Sequence, residues 1–167
     1  MDKSKVIVIC GPTASGKTAL SIELAKKING EIISCDSMQI YKYMDIGTAK
    51  PTPEEQKEVK HHLIDFVEPD QRYSVAEYKK DAEKSIEEIL AKGKTPIIVG
   101  GTGLYVDSLI YGIEYPEIEL DEEYRKQLEK EANENGLESL YNRAKEIDSK
   151  AMEKISPNDK KRIIRVL

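Results

Sequence analysis

One segment near the N-terminus constrains the fold of this chain more than any other. Residues 11–18 read Gly-Pro-Thr-Ala-Ser-Gly-Lys-Thr and fit G-x-x-x-x-G-K-[ST], the pattern of a phosphate-binding loop. An apolar run at 6–10 precedes the loop and predicts a buried strand over 5–10, whereas residues 16–28 are typical of a helix. A strand, a glycine-rich loop and a helix in this order are the context that the motif requires. They predict a site for a di- or triphosphate in an α/β fold.

The residue types of this loop suit a bound phosphate. Gly11 and Gly16 let the backbone turn tightly, so that successive N–H groups point at the anion, and the start of the following helix adds its positive dipole end. Lys17 supplies a positive charge to the phosphate oxygens, and the hydroxyl of Thr18 is a ligand for Mg²⁺. The motif alone leaves open whether the phosphate belongs to ATP.

Length and composition limit the class of protein. The chain has 167 residues, a formal net charge of −5, no Trp and one Phe, so that aliphatic residues form its core. Its first five residues do not resemble a secretory signal, and no apolar run is long enough to span a membrane. We therefore expect a cytoplasmic, monomeric protein with no membrane partner. Cys10 and Cys35 each end a predicted strand, and we expect both to be buried free thiols.

Strands and helices alternate along the first two thirds of the chain. We predict further strands at 31–35 and 96–100, a short helix at 53–60, a helix from the cap Ser74 to residue 92, and a helix from 102 to about 111. The fold class is therefore α/β, with a P-loop NTPase-like parallel sheet and helices on both faces. The connection over 36–72 is irregular, and connections of this length are usually functional.

The character of the sequence changes after residue 115. Polar helices are predicted at 121–135, 137–147 and 149–155, and a further helix begins at 160. We divide the chain into an α/β core at 1–115, a small helical insertion domain at 116–156, and the start of a helix at 157–167 that returns to the core. Because only three strands are predicted and the chain stops on apolar residues, we expect an N-terminal portion of a longer protein.

The position of a carboxylate separates the possible chemistries. The third predicted strand ends in Gly100-Gly101-Thr102-Gly103 without an acid, whereas Asp36 follows the second strand. Residues just past the carboxyl ends of parallel strands line the ligand crevice, so we expect Asp36 and Thr102 to lie beside the phosphate loop. Two simpler interpretations stay open, namely a turn cap for Asp36 and a plain strand–helix turn for residues 100–103.

The last part of the chain is basic although the whole chain is acidic. Residues 142–167 contain eight Lys or Arg against four Asp or Glu. Such a surface attracts nucleic acid phosphates, although a solvated helix face has the same composition.

The motifs occur together in one order, and together they resemble the tRNA dimethylallyltransferase (tRNA isopentenyltransferase) family over essentially the whole chain. The segments that carry the resemblance are 11–18, Asp-Ser-Met-Gln-Ile-Tyr at 36–41, Met-Asp-Ile-Gly-Thr-Ala-Lys-Pro at 44–51, His-His-Leu-Ile-Asp at 61–65, Tyr-Ser at 73–74, Val-Gly-Gly-Thr-Gly-Leu-Tyr at 99–105, and Pro-Asn-Asp at 157–159 with Arg162 and Arg165.

The resemblance implies a reaction and a set of site residues. The family moves a dimethylallyl group from dimethylallyl diphosphate to N6 of an adenosine next to the tRNA anticodon, with Mg²⁺ as cofactor and diphosphate as leaving group. It implies catalytic roles for Asp36, as general base, and for Thr13, Lys17 and Thr102, with the metal on Thr18. The diphosphate-binding residues are then Gly11, Pro12, Thr13, Ala14, Ser15, Gly16, Lys17 and Thr18.

The resemblance also implies contacts with a tRNA anticodon stem-loop. Asp36, Ser37, Met38, Gln39 and Thr102 would contact the target adenosine and its surroundings, and Arg125, Lys161, Arg162, Ile163, Ile164 and Arg165 would contact the stem-loop. His61 and His62 lack further ligands at zinc spacing, and we expect one of them to be packed and the other exposed. Three alternatives remain: an adenylate dimethylallyltransferase that acts on AMP, a small-molecule kinase that uses ATP, and a non-catalytic nucleotide-binding fragment.

Overall fold

A computed structural model describes residues 5–115 and 121–167 of the chain. The chain divides into two compact units, Met1–Tyr115 and Pro116–Leu167, which are considered separately. The division coincides with the predicted end of the α/β core. The first residues of the predicted insertion domain, 116–120, lie outside the described residues.

The first unit is a parallel sheet of four strands with helices between them. The strand order is β1-β4-β2-β3, and every neighbouring pair is parallel. Its elements are β1 (Ile7–Cys10), α1 (Lys17–Ile28), β2 (Gly30–Cys35), α2 (Pro53–Glu58), β3 (His61–His62), α3 (Val75–Ala91), β4 (Thr95–Gly100) and α4 (Gly103–Ile110).

Helices cover both faces of this sheet, as the alternation in the sequence predicts. Ile32 of β2 and Ile97 of β4 pack with Ile22 of α1 on one face. The next residues along each strand point to the opposite face, where Ile33 and Ile98 pack with α3 and α4. Because both faces are buried, the central strands are apolar runs and do not alternate with polar residues.

Gly100 allows the two central strands to approach at their carboxyl ends. A Cβ atom at this position would lie 2.0 Å from the carbonyl oxygen of Cys35. The backbone N–H of Thr102 donates to the same carbonyl oxygen at 3.2 Å. These contacts place the turn after β4 against the turn after β2, where Asp36 lies.

The α3 helix begins as its sequence predicts. The Ser74 hydroxyl accepts a hydrogen bond from the Glu77 backbone N–H, and the Glu77 carboxylate accepts one from the Ser74 N–H. The Tyr78 hydroxyl, in the first turn of this helix, donates to the carbonyl of Ser34 at 3.1 Å and so ties α3 to the end of β2.

The structure corrects the prediction that residues 36–72 hold no strand. His61 and His62 form β3, which pairs in parallel with Ile32 and Ile33 of β2. A strand of two residues carries no periodicity, and its pairing partner is distant in the sequence. The sheet therefore has four strands where three were predicted.

The expectation of one packed and one exposed histidine is also wrong. His62 is a buried side chain whose Nε2 lies 2.7 Å from Glu31, and the Nδ1 of His61 lies 2.8 Å from the carbonyl oxygen of Val59. Burial would raise the pKa of Glu31, but hydrogen bonds from Lys94, His62 and Lys92 outweigh it and hold that pKa at about 2.

The two cysteines differ, which corrects the prediction that both are buried. Cys35 is fully buried between the sheet and α3, whereas Cys10 is exposed at the end of an edge strand of the sheet. Both are free thiols, as predicted.

The second unit is helical. It contains α5 (Glu122–Asn135), α6 (Glu138–Ile147), α7 (Ser149–Met152) and α8 (Lys160–Val166). Leu128, Leu140 and Ile163 are among the side chains of its own apolar core. The sequence predicts that residues 157–167 begin a helix that returns to the α/β core. In the structure these residues belong to the helical unit, since α8 packs on α5 and α6.

Within the described ranges 5–115 and 121–167, every helix is too short or too polar to cross a membrane.

Candidate functional site

The loop over residues 11–18 has the backbone geometry of an anion site. Gly16 adopts φ 81° and is the N-cap of α1, and Ala14 adopts φ 64°. Glycine enters this left-handed region without a steric penalty, whereas alanine does so at a cost. The first N–H groups of a helix have no acceptor within the helix. They therefore remain available at this loop for a negatively charged group.

The side chain of Lys17 folds back onto the loop at 11–18. Its Nζ donates a hydrogen bond to the carbonyl oxygen of Pro12 at 2.6 Å. The ammonium is thereby held close to the loop, where it can exchange one acceptor for a phosphate oxygen. One turn later, the hydroxyl of Ser21 donates to the carbonyl of Thr18 at 2.8 Å and fixes the start of the helix.

A cavity of about 400 Å³ opens between this loop and the ends of the strands. Six of the eight motif residues line it, from Thr13 to Thr18, and so do Asp36 and Gln39. The structure thus brings the predicted phosphate loop and the predicted base to one site. The other described residues that line it are Ala19, Ser21, Ile32, Ser34, Thr48, Ala49, Pro51, Glu55, His61, Ile64, Val99 and Gly100.

Asp36 caps its own turn and also lines the cavity. Its Oδ1 accepts hydrogen bonds from the N–H groups of Met38 at 2.8 Å and Gln39 at 3.4 Å, so the carboxylate caps its own turn. Oδ2 has no hydrogen-bond partner among the described residues. One oxygen therefore fixes the side chain at the cavity, and the other is available for a ligand.

Two titratable neighbours of Asp36, Cys35 and Tyr105, are protonated at neutral pH. Burial raises the pKa of the Cys35 thiol to about 11 and the pKa of Tyr105 to about 12. Tyr105 stacks on Tyr78 with ring centroids 3.9 Å apart. Neither of these two neighbours is therefore a proton acceptor at neutral pH.

His61 is a second possible proton acceptor in the same cavity. Burial lowers its pKa, so the imidazole is neutral at pH 7. Its Nδ1 lies at the Val59 carbonyl, which places the ring proton there and leaves the buried Nε2 as an acceptor without a partner among the described residues.

Thr102 lies against the turn that carries Asp36. Its Oγ1 accepts a hydrogen bond from the backbone N–H of Ser37 at 3.0 Å and lies 3.3 Å from the Ser37 hydroxyl. Ser37 and Thr102 each lie two positions past the end of a strand, and these strands, β2 and β4, are neighbours in the sheet. The described residues that line the cavity do not include Gly11, Pro12, Ser37, Met38 or Thr102, each of which lies within two positions of a lining residue in the sequence.

The wall opposite the phosphate loop comes from the irregular connection after β2. The amide of Gln39 accepts from the Ser34 hydroxyl at 2.9 Å and donates to the carbonyls of Thr48 at 3.2 Å and Ala49 at 3.0 Å. This wall was not assigned from the sequence. The motif at 44–51 marked it, but nothing in a loop sequence states which distant residues the loop contacts.

The donor set suits Mg²⁺ bound together with a phosphate. A hydroxyl from Thr18 and a carboxylate from Asp36 line the same cavity, and hard oxygen atoms are the ligands that Mg²⁺ prefers. The described residues contain no cluster of three or more His, Cys, Asp or Glu that would hold a metal without a substrate. Mg²⁺ usually takes its remaining ligands from phosphate oxygens and water.

The predicted tRNA-contacting residues of the second unit divide by exposure. Lys161, Arg162 and Arg165 are exposed on α8, whereas Ile163 and Ile164 are buried in the helical core. Any contact of this segment with RNA therefore falls to the three basic side chains. The fourth cation, Arg125 of α5, is also partly exposed, and its Nε lies 3.3 Å from Glu129.

Comparison with known proteins gives consistent matches. A family model described as IPP transferase matches residues 39–167. A relative from Acetivibrio thermocellus, named tRNA dimethylallyltransferase, is 62% identical over 97% of this chain and 52% of its own length. A relative of the same name from Thermoanaerobacter is 53% identical over 98% of this chain and 52% of its own length. The chain thus spans about half the length of these relatives.

Solved structures agree with the sequence matches. The full-length tRNA isopentenylpyrophosphate transferase from Bacillus halodurans matches 98% of this chain and 54% of that chain, with 48% identity and a TM-score of 0.67. A eukaryotic dimethylallyltransferase, described as acting on tRNA, matches 97% of this chain and 40% of that chain, with 34% identity and a TM-score of 0.82.

Proposed function

The chain belongs to the IPP transferase family, and from that premise we propose that it transfers a dimethylallyl group from dimethylallyl diphosphate to N6 of an adenosine next to the anticodon of a tRNA, with release of diphosphate. The observation that carries the proposal is the shared cavity of the phosphate loop and Asp36. A carboxylate beside a phosphate site, on the turn after β2, suits the attack of a nucleophile on a carbon that bears a diphosphate. We also propose that the protein is cytoplasmic and monomeric.

The loop would bind the leaving group. As the bond between the allylic carbon and oxygen breaks, negative charge grows on the diphosphate. That charge would be stabilised by the backbone N–H groups at the start of α1 and by the ammonium of Lys17. Thr13 and Ser15 would add contacts to the same diphosphate. Mg²⁺, held by Thr18 and the diphosphate oxygens, would supply further charge neutralisation.

Asp36 would accept the proton of the nucleophile. The amino group of adenine is a weak nucleophile, because its lone pair is delocalised into the ring. A bond forms from N6 to the allylic carbon, the bond from that carbon to the diphosphate oxygen breaks, and one N6 proton passes to Asp36. Its Oδ1 is occupied by the N–H groups of Met38 and Gln39, so Oδ2 is the atom that takes the proton.

The acceptor would be an unpaired adenosine extruded from its stack. Extrusion costs a few kcal/mol and costs least where the base is not paired. Ser37, Met38, Gln39 and Thr102 surround the turn of Asp36 and would contact this nucleotide. Arg125, Lys161, Arg162 and Arg165 of the second unit would contact the phosphates of the anticodon stem-loop. These basic residues favour a tRNA over free AMP as the acceptor.

A transfer assay with three arms tests the proposal. Two forms of the protein are compared, namely this 167-residue chain and the product of the complete reading frame of its gene. Each form is incubated with labelled dimethylallyl diphosphate, Mg²⁺ and either unmodified tRNA or AMP. A third arm replaces the donor by ATP. We expect label in the tRNA alone.

Other results of this assay would contradict the proposal. Label in AMP and not in tRNA would identify an adenylate dimethylallyltransferase. Hydrolysis or transfer of the ATP phosphate without prenyl transfer would identify a kinase. Binding of the donor without turnover by either form of the protein would identify a non-catalytic fragment.

A further inference from the structure

Lys50 is a buried cation in the irregular connection between β2 and α3. Its side chain is only 5% exposed. The Nζ donates to the carbonyl of Tyr41 at 2.7 Å, to Asp45 at 2.9 Å and to Asp65. Burial would lower the pKa of this lysine, but the hydrogen bonds and charges of the two aspartates outweigh burial and raise it. The ammonium therefore remains charged throughout the neutral range.

The partners of Lys50 belong to two separate segments. Tyr41 and Asp45 belong to the segment 40–51, and Asp65 belongs to the segment 63–67 that follows β3. Further hydrogen bonds join these segments: the Lys42 N–H donates to the Val67 carbonyl at 2.9 Å, and the N–H groups of Phe66 and Val67 donate to the Ile40 carbonyl at 3.0 Å. Lys50 is the charged centre of this junction.

The junction holds backbone conformations that are unfavourable by themselves. Non-glycine residues rarely adopt positive φ, because the Cβ atom approaches the following carbonyl. Such conformations persist only where the surrounding contacts enforce them. Four non-glycine residues of the two segments have positive φ, at Tyr43 (62°), Ala49 (49°), Leu63 (59°) and Asp65 (54°).

The same segments form one wall of the cavity. Thr48, Ala49 and Pro51 line it from the first segment, and Ile64 lines it from the second. The amide of Gln39 joins the carbonyls of Thr48 and Ala49 to the Ser34 side chain of β2. A displacement of the wall is therefore transmitted to the end of the strand that leads to Asp36.

We propose that Lys50 is a positioning residue, which holds the wall formed by Thr48–Pro51 and Ile64 against the substrates through its hydrogen bonds to Tyr41, Asp45 and Asp65. The proposal rests on the proposed function for its effect on catalysis. The described residues that line the cavity do not include Lys50 itself. Its loss would therefore leave the phosphate loop able to bind the donor, while the reacting groups lose their alignment beside Asp36.

Kinetics of a Lys50→Met variant test this role. Methionine keeps an unbranched apolar stem and removes the ammonium. We expect kcat for transfer to tRNA to fall about tenfold to a hundredfold, which is the order of loss for a misplacement near 1 Å. The dissociation constant of dimethylallyl diphosphate with Mg²⁺ should stay within about twofold, since the loop at 11–18 is unchanged. Lys50→Arg, which keeps a charged donor, should recover part of the loss.

The matched control is Lys57→Met on α2. Lys57 is an exposed lysine seven positions along the chain, and its replacement should leave kcat and donor binding unchanged. A Lys50→Met variant with the kcat of the Lys57→Met control would overturn the proposal. So would a loss of donor affinity that equals the loss in kcat, because Lys50 would then act on the phosphate site.

Amide hydrogen exchange tests the junction without any substrate. In Lys50→Met, the amides of Lys42, Asp65, Phe66 and Val67 should exchange faster, while amides of α1 and all amides of Lys57→Met keep their rates. Equal exchange in both variants would overturn the proposal even if the protein transferred no dimethylallyl group. If Lys50→Met does not fold, Asp65→Asn removes the negative charge of one partner and weakens its hydrogen bond with Lys50, so the same amides should exchange faster; unchanged rates there would overturn the proposal.

Discussion

Replacement of Gly100 by alanine tests how the structure builds the site from the sheet. Gly100 ends β4 and pairs with Cys35 at the end of β2. An added Cβ would lie 2.0 Å from the Cys35 carbonyl oxygen and 2.3 Å from its carbonyl carbon. Both atoms are backbone, so no side-chain rotation can relieve the contact.

The size of the effect follows from these distances. Ordinary van der Waals contact begins at 3.4 Å, so β2 and β4 must separate locally by the difference from 2.0 Å, about 1.4 Å. Overpacking of this kind costs about 1–3 kcal/mol. Stretching the neighbouring ladder hydrogen bonds by that distance breaks them, at about 1 kcal/mol each. We expect the unfolding free energy to fall by about 3 kcal/mol or more, which lowers Tm by roughly 10 °C for a unit of this size.

Thermal unfolding and thiol reactivity measure this change. The Cys35 thiol is fully buried beside Gly100, and it should react with a thiol reagent faster in Gly100→Ala than in the wild-type protein. Cys10 is exposed and provides the fast-reacting reference in both proteins.

Gly103→Ala is the matched control from the same glycine-rich turn. An added Cβ at Gly103 meets no atom within 4 Å, and this residue begins the helix α4. Its Tm should equal or exceed that of the wild-type protein. A Gly100→Ala variant that unfolds with the Tm of Gly103→Ala, and with Cys35 still protected, would show that β2 and β4 do not need glycine at this position.

Three further predictions follow from individual side chains. Asp36→Asn should keep the turn cap through its amide oxygen and lower kcat for transfer at least about a hundredfold at unchanged Tm; a retained rate would favour His61 as the base. The pKa of Glu31 is held below its ordinary value of 4.5, so its stabilisation is complete above that pH and is lost as pH falls toward about 2. Denaturant unfolding at several pH values should show this loss in wild type and a flatter profile in Glu31→Gln; identical profiles would contradict it. Arg162→Ala with Arg165→Ala should weaken tRNA binding and reduce its salt dependence by about one unit of slope per phosphate contact, without changing donor affinity; an unchanged slope would remove these residues from the RNA interface.

The core of the fold could be predicted because its signals are local. Each of these signals spans only a few consecutive residues. They are the apolar runs at β1, β2 and β4, the reciprocal cap of Ser74 with Glu77, and the Asn29 and Gly30 pair after α1. The strand β3 has none, because two residues carry no period and their pairing with β2 is a long-range contact.

The site could be predicted where strand ends meet and not where loops meet. The rule that ligands bind beyond the carboxyl ends of parallel strands predicts Asp36 and Thr102 near the loop at 11–18. Asp36 lines the cavity of that loop, whereas Thr102 is hydrogen-bonded to Ser37 in the turn of Asp36 and is not among the described residues that line the cavity. Lysine is usually exposed, so the burial of Lys50 has no signal in the sequence. The two aspartates that compensate its charge are identified only when the chain is folded.

The burial of some single residues differs from the prediction for a related reason. Cys10 and Cys35 have similar sequence contexts, but β1 lies at an edge of the sheet and β2 in its interior, and strand order was not part of the sequence signal. In the same way, Ile163 and Ile164 were grouped with their basic neighbours, although the structure places them in the core of the helical unit.

The most direct test of the proposed activity is a stoichiometric measurement of the two products. Transfer to tRNA is followed with labelled dimethylallyl diphosphate and Mg²⁺, diphosphate release is counted in the same tube, and the modified nucleoside is identified by mass spectrometry after digestion. We expect one diphosphate to be released for each dimethylallyl group found on N6 of the adenosine next to the anticodon. Diphosphate release without label in tRNA, or label in AMP alone, would contradict it.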